Sequence, residues 1–212
     1  MKIRLNYIKI TLINTFMKIN SLKYIDNKSD TLDIILPGSS GGVNYSLIQK
    51  IFDVCSKQSH SVASFNYPYF ERGDERFSSL ALEEEQDALK SVIAKLDNKS
   101  YKKIRLIGKS LGGVIASYYL RSLSAEEQTK YSIVIFGYVV GSVDLKEFKG
   151  SIDIIQGEND KYGSINSVKN DIKKIASKNI SCFEIKGGDH SYKNESGEPI
   201  FEDEAIKVFK CI

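Results

Sequence analysis

Short apolar runs recur along the chain at Leu32–Leu36, Val62–Phe65, Ile104–Ile107, Ile133–Phe136, Ile152–Ile155 and Cys182–Ile185. They are rich in Ile, Val and Phe, a composition that predicts strands covered on both faces. Between them, apolar residues return at helical spacing: Leu47, Ile48, Ile51, Phe52 and Cys55; Leu89, Val92, Ile93 and Leu96; Ile165, Val168, Ile172 and Ile175. Ala205, Ile206 and Phe209 predict a last helix. Strand and helix therefore alternate, which implies an α/β fold: a mostly parallel sheet with helices on both faces and right-handed connections. In such a sheet a ligand binds beyond the carboxyl ends of the strands, so the turn after each strand is the place to look for chemistry.

The turn after Ile104–Ile107 is Gly108-Lys109-Ser110-Leu111-Gly112-Gly113, followed by the helix-like Val114–Leu120. This is G-x-S-x-G at a strand–turn–helix junction. A serine in a tight, strained turn projects its hydroxyl from the sheet, and side chains at 108 and 112 would collide with neighbouring backbone. The Leu111 N–H, at the start of the helix, is placed to donate to a developing oxyanion. The blander alternative is a plain glycine-rich turn. The letters Gly108-Lys109-Ser110 also end a phosphate-binding loop, but that motif needs Gly where Lys103 stands and a loop where the strand runs straight into Gly108.

A nucleophilic serine needs a base, and the chain has two histidines. His60 precedes Val62–Phe65, at the wrong end of the sheet. His190 follows the last strand, in Gly187-Gly188-Asp189-His190-Ser191, at the end where Ser110 is expected. An orienting acid falls between serine and histidine in this chain order. Ile152–Ile155 is followed by Gln156-Gly157-Glu158-Asn159-Asp160, and Asp160 is the candidate, with Glu158 its competitor. Asp160 could instead cap the helix containing Ile165, and His190 could be an ordinary loop histidine. Asp189 is set aside because adjacent side chains diverge. After Leu32–Leu36 comes Pro37-Gly38-Ser39-Ser40-Gly41-Gly42, a glycine-rich loop whose Ser39 N–H is the first choice for a second oxyanion donor and Ser40 the second choice.

With these residues in place, the chain resembles the α/β-hydrolase family, most of all its compact dienelactone-hydrolase-like members and a branch of largely uncharacterised bacterial proteins. The resemblance runs from about Thr31 to the C-terminus and rests on Gly38–Gly42, Gly108–Gly113, Asp160 and His190. Phe65-Asn66-Tyr67-Pro68-Tyr69-Phe70-Glu71-Arg72-Gly73 is similar to an F-N-x-P-Y-x-E run of that branch, which there borders the active site. Two departures stand out: Pro37 where relatives often carry His, and Ser110 where dienelactone hydrolase itself uses Cys. The resemblance implies a serine hydrolase of a small soluble acyl substrate, acting through an acyl-enzyme without metal or organic cofactor. An acyltransferase with the same residues and a non-catalytic binding module are the alternatives.

Size and charge narrow the picture further. The 212 residues fit one domain, here 21–212, with 1–20 as an extension or extra strand. The formal charge of +3 is scattered, with no basic stripe interleaved with aromatics, which argues against nucleic acid. Residues 1–19 mix apolar residues with Asn, Lys and Thr and lack the continuous apolar stretch of a signal peptide; Met17 offers an alternative start. No run of about 18 apolar residues suggests a membrane span. Cys55, Cys182 and Cys211 fit reduced thiols, and a cytoplasmic location is expected. The interval Tyr138–Ser151 is too short for a helical cap, so no lid domain is expected. Phe65–Gly73 is then the remaining segment to overhang the site, and the pocket should be shallow and favour short acyl chains.

Overall fold

A computed structural model describes residues 19–96 and 101–212. Seven strands form one sheet: β1 (Lys23–Ile25), β2 (Thr31–Leu36), β3 (Ser61–Ser64), β4 (Lys103–Lys109), β5 (Tyr131–Phe136), β6 (Ile152–Gly157) and β7 (Ile180–Ile185). Their spatial order is β1-β3-β2-β4-β5-β6-β7. All neighbours are parallel except the β1–β3 edge pair. The six strands expected from apolar runs are all present. The seventh strand, β1 at Lys23–Ile25, has no counterpart among the expected runs; the extension or extra strand expected over residues 1–20 lies outside the described residues except for Ile19 and Asn20.

The alternation of side chains along each strand divides the interior in two. Leu32, Ile34 and Leu36 of β2 face one core, packed under α3 (Glu83–Leu96) and α4 (Leu111–Ser122). Ile35 of the same strand faces the other, with Val62, Ile107, Val134 and Ile155, covered by α1 (Ser46–Lys57) and α7 (Glu202–Phe209). Each fully buried Leu, Ile or Val contributes roughly 1.5–3 kcal/mol. The helical spacings predict these packing faces well: α1 buries Leu47, Ile48, Ile51, Phe52 and Cys55, and α3 buries Leu89, Val92, Ile93 and Leu96. One helix is shorter than its periodicity suggests. Beyond α6 (Ile165–Asp171) the chain tightens into a 3₁₀ turn over Ile172–Lys174, and Ile175 is extended.

The two ends of the sheet carry different chemistry. Near its amino end, the fully buried Asp33 of β2 accepts two hydrogen bonds from Arg105 of β4, Nε to Oδ1 at 2.9 Å and Nη2 to Oδ2 at 2.8 Å. His60 Nδ1 lies 3.0 Å from Asp33 Oδ2. His60 is thus tied into a structural ion network far from the Ser110 turn, at the end of the sheet its position predicted. Burial alone would push the Asp33 carboxyl up, but the hydrogen bonds from His60 and Arg105 outweigh it and hold the group below the ordinary carboxylate value.

A carboxylate with a depressed native pKa contributes stability above its unfolded value, near 3.9, and that contribution is lost as pH falls through the lower native value. Asp33→Asn should therefore cost about 3 kcal/mol at neutral pH, because it strands Arg105 in a largely buried position. It should also flatten the decline in stability below about pH 4. Urea melts of both proteins at pH 7 and pH 3 check this. Equal pH dependence in the two would show that Asp33 is not the controlling group.

Candidate active site

The strongest local constraint lies at the junction of β4 and α4. Ser110 sits between them at φ 51° and ψ −113°, a left-handed conformation that a non-glycine residue adopts only when its surroundings impose it. The glycines on either side explain how the chain closes there. A Cβ on Gly108 would lie 2.3 Å from the Gly113 nitrogen, and one on Gly112 would lie 2.2 Å from the Leu36 carbonyl oxygen. Only Gly at both places lets α4 start directly above the end of β2.

The Ser110 hydroxyl so presented meets His190. Ser110 Oγ lies 2.8 Å from His190 Nε2, and His190 Nδ1 lies 2.7 Å from Asp160 Oδ2. The other carboxylate oxygen, Oδ1, accepts the Tyr162 N–H at 2.8 Å, which fixes the Asp160 side chain within its own turn. The Asp160 side chain is fully buried and that of His190 is 13% exposed. Three turns after three parallel strands, β4, β6 and β7, thus converge on one hydrogen-bonded chain.

The competing carboxylates are occupied elsewhere. Glu158 accepts the Gly187 N–H at 2.9 Å and the Lys186 ammonium at 3.1 Å. Those contacts hold its carboxyl below the usual range. Asp189 Oδ1 accepts the N–H groups of Ser191 and Lys193, closing the turn that carries His190.

The Gly38–Gly42 loop lies against the serine turn: a Cβ on Gly38 would be 3.5 Å from the Lys109 carbonyl oxygen and 3.8 Å from Ser110 Cβ. Among the described residues, the N–H groups of Ser39, Ser40 and Leu111 donate to no protein acceptor. They are free to hold a ligand oxygen. Ser39 borders the clefts on both sides of Ser110, whereas Ser40 borders one.

Those clefts differ in character. One, of about 460 Å³, is lined by Phe77, Leu80, Leu82, Leu111, Val114 and Val139 among others. The other, of about 290 Å³, is lined by polar groups including Asn159, Lys161, Asp189 and Ser191. Tyr162 stands at the divide, its ring 4.5 Å from the His190 ring in an edge-on contact.

The overhang differs from the sequence expectation. Phe65–Gly73 does not roof the site. Its Tyr67 hydroxyl donates to the Pro37 carbonyl and its Tyr69 hydroxyl to the Ser39 carbonyl, at 3.3 and 2.9 Å. Asn66 Oδ1 accepts the Val43 N–H at 2.8 Å. This aromatic segment, with a short helix α2 (Pro68–Arg72), therefore braces the glycine-rich loop. The apolar wall comes instead from Phe77–Leu82, which follows it. The fully buried Glu85 of α3 anchors that wall by accepting the Ser78 N–H at 2.9 Å and hydroxyl at 2.6 Å. Polar serines in this stretch masked its role in the sequence; the signal was the pair Phe77 and Leu82 before an acidic helix start. Tyr162 and Glu85 were also missed, since neither type at its position signals a site.

The fold and these turns define an α/β hydrolase, and the comparison with known families agrees. Residues 33–209 match the model of the alpha/beta hydrolase domain, and the chain belongs to that family. No curated protein matches it. Among solved structures, it is similar to an alpha-beta serine hydrolase homologue from Coxiella burnetii, with 19% identity and a TM-score of 0.65 over 84% of each chain. It is also similar to an a/b serine hydrolase without lid from Xanthomonas campestris, with 15% identity and a TM-score of 0.66 over 86% of this chain and 78% of that one. An esterase from Pyrococcus furiosus is 16% identical with a TM-score of 0.65, over 90% and 86%. In this chain too, residues 137–151 between β5 and β6 carry no helical cap. No helix among the described residues is long and apolar enough to cross a membrane.

Proposed function

We propose that the chain is a carboxylesterase-like serine hydrolase acting on small, soluble acyl substrates. The observation that carries this reading is the hydrogen-bonded chain from Ser110 through His190 to Asp160, at 2.8 and 2.7 Å, beside unengaged backbone donors. Ser110 Oγ attacks the acyl carbonyl while His190 Nε2 takes its proton. Asp160 holds His190 in the tautomer with the proton on Nδ1 and stabilises the imidazolium. The N–H groups of Ser39 and Leu111 receive the oxyanion of the tetrahedral intermediate. His190 then gives its proton to the leaving oxygen or sulfur as the acyl-enzyme forms. Water repeats the sequence, with His190 as its base, and releases the acid. The esterase and serine hydrolase names of the structural neighbours support this reading, as does the description of the Xanthomonas campestris one as without lid.

Ser110→Ala should lower kcat by on the order of 10⁴-fold or more and abolish labelling by a fluorophosphonate, with an unchanged melting curve. A folded variant with near wild-type turnover would remove Ser110 from the reaction.

Asp160→Asn should lower kcat roughly 10³–10⁴-fold by favouring the wrong His190 tautomer. Glu158→Gln, at a carboxylate engaged by the Gly187 N–H and the Lys186 ammonium, should stay within a few-fold of wild type. Reversal of that order in steady-state assays would mean that the acid is misassigned.

The apolar cleft is the natural place for the acyl group, but its outer wall is wet: Leu80 is 91% exposed. Each added CH₂ therefore gains less than the about 0.8 kcal/mol of full burial. In a series of nitrophenyl esters, kcat/KM should peak at short acyl chains and fall beyond them. A steady rise out to long chains would show a deep apolar channel instead.

A further inference from the structure

The Ser110 turn contains one charged side chain that the chemistry above leaves unused. Lys109 is the last residue of β4 and only 5% exposed, an unusual burial for a lysine. Its stem passes behind the glycine-rich loop: a Cβ on Gly38 would lie 3.6 Å from Lys109 Cγ. Its ammonium ends beside Gly137, the first residue after β5. A Cβ on Gly137 would lie 3.0 Å from Lys109 Nζ, 3.0 Å from His190 Cε1 and 3.1 Å from His190 Nδ1. The ammonium and the imidazole thus flank one glycine, close enough for a charge on one to act on the other.

The charged and titratable groups around this point come from the turns after β6 and β7. Asp160 is engaged by His190 and the Tyr162 N–H, and Asp189 by the N–H groups of Ser191 and Lys193. Tyr192 is buried, with its hydroxyl donating to the Ile155 carbonyl at 2.7 Å. Neither aspartate forms an ion pair with Lys109 among the described residues; both act on it at longer range. Desolvation pushes the Lys109 ammonium down to about 8, against the pull of Asp160 and Asp189. It is therefore mostly charged at neutral pH.

We propose that Lys109 is a positioning residue of the hydrolase, a buried cation that acts through His190. Its charge faces the imidazole across Gly137 and acts on the proton exchange between His190 and Ser110. This rests on the reading of Ser110, His190 and Asp160 as the catalytic set.

Two experiments test it. Lys109→Met keeps the stem and removes the charge, while Lys109→Arg keeps the charge. In pH profiles of kcat/KM on nitrophenyl acetate, the acid limb of Lys109→Met should move to higher pH by about one unit, the scale expected for unit charges at this separation. The limb of Lys109→Arg should stay near that of the wild type. An unmoved limb in Lys109→Met, whatever the change in kcat, would reduce Lys109 to packing. The second experiment needs neither a variant nor turnover. In wild-type protein labelled with ¹³C-histidine, the His190 Cε1 resonance should show a second, smaller inflection near pH 8, where Lys109 loses its proton. A single inflection overturns the proposal even if no variant folds. Absence of fluorophosphonate labelling of the wild type would instead sink the hydrolase reading and leave the resonance to report the coupling alone.

Discussion

The close approach of α4 to the end of β2 is the contact on which the site depends. A hydrogen in place of a side chain at Gly112 lets the helix begin against the Leu36 carbonyl, and this forces Ser110 into its left-handed conformation. That conformation costs on the order of 1–3 kcal/mol. It persists because the surrounding structure over-determines it. Val114, Ile115 and Ala116 are buried one turn further along the same helix, and relaxing Ser110 would pull them out of the core. The same contact brings the Gly38 loop against Lys109 and Ser110, so one packing constraint sets both the hydroxyl and the backbone donors beside it.

Position in the sheet decides what a histidine–carboxylate pair can do. Both histidines direct Nδ1 to an aspartate, His60 to Asp33 and His190 to Asp160. At the amino end, Arg105 takes both oxygens of Asp33, and the group serves as a clasp between neighbouring strands. At the carboxyl end, Nε2 of His190 meets a hydroxyl held out by a strained turn. The chemistry follows from the convergence of turns at one edge of a parallel sheet rather than from the pair itself.

The strands and the three polar residues of the site could be read from the chain because each leaves a local signature. A run such as Ile133–Phe136 has no other comfortable environment than a covered sheet, and Gly108-x-Ser110-x-Gly112 carries its own steric reason. The choice of Asp160 over Glu158 also followed from its place in a turn after a strand. What escaped the sequence was anything set by distant packing. Lys23–Ile25 is three residues long and half-exposed, with too few apolar positions to show a period. Tyr67 and Tyr69 bind the carbonyls of Pro37 and Ser39, thirty residues away, and their aromatic neighbourhood suggested an overhang instead of a brace. Lys109 stood in plain view within the motif, but strand alternation alone does not reveal that its ammonium is buried beside Gly137.

Ser110 lies on a boundary between two surfaces made by different parts of the chain. The apolar side is built by α4, by Val139 after β5 and by Phe77–Leu82, and the last of these has no strand to hold it. Its order depends on Glu85, a fully buried carboxylate satisfied by Ser78. A buried carboxylate is costly unless its hydrogen bonds are made, so the wall and the anchor stand or fall together. The polar side is built by the turns that already carry Asp160 and His190, and those are fixed by their own backbone hydrogen bonds. The two sides are thus held by separate sets of hydrogen bonds. The 77–82 segment lines the apolar cleft and makes none of the hydrogen bonds that join Ser110, His190 and Asp160, so the shape of that cleft and the geometry of the hydrogen-bonded chain are set by different residues.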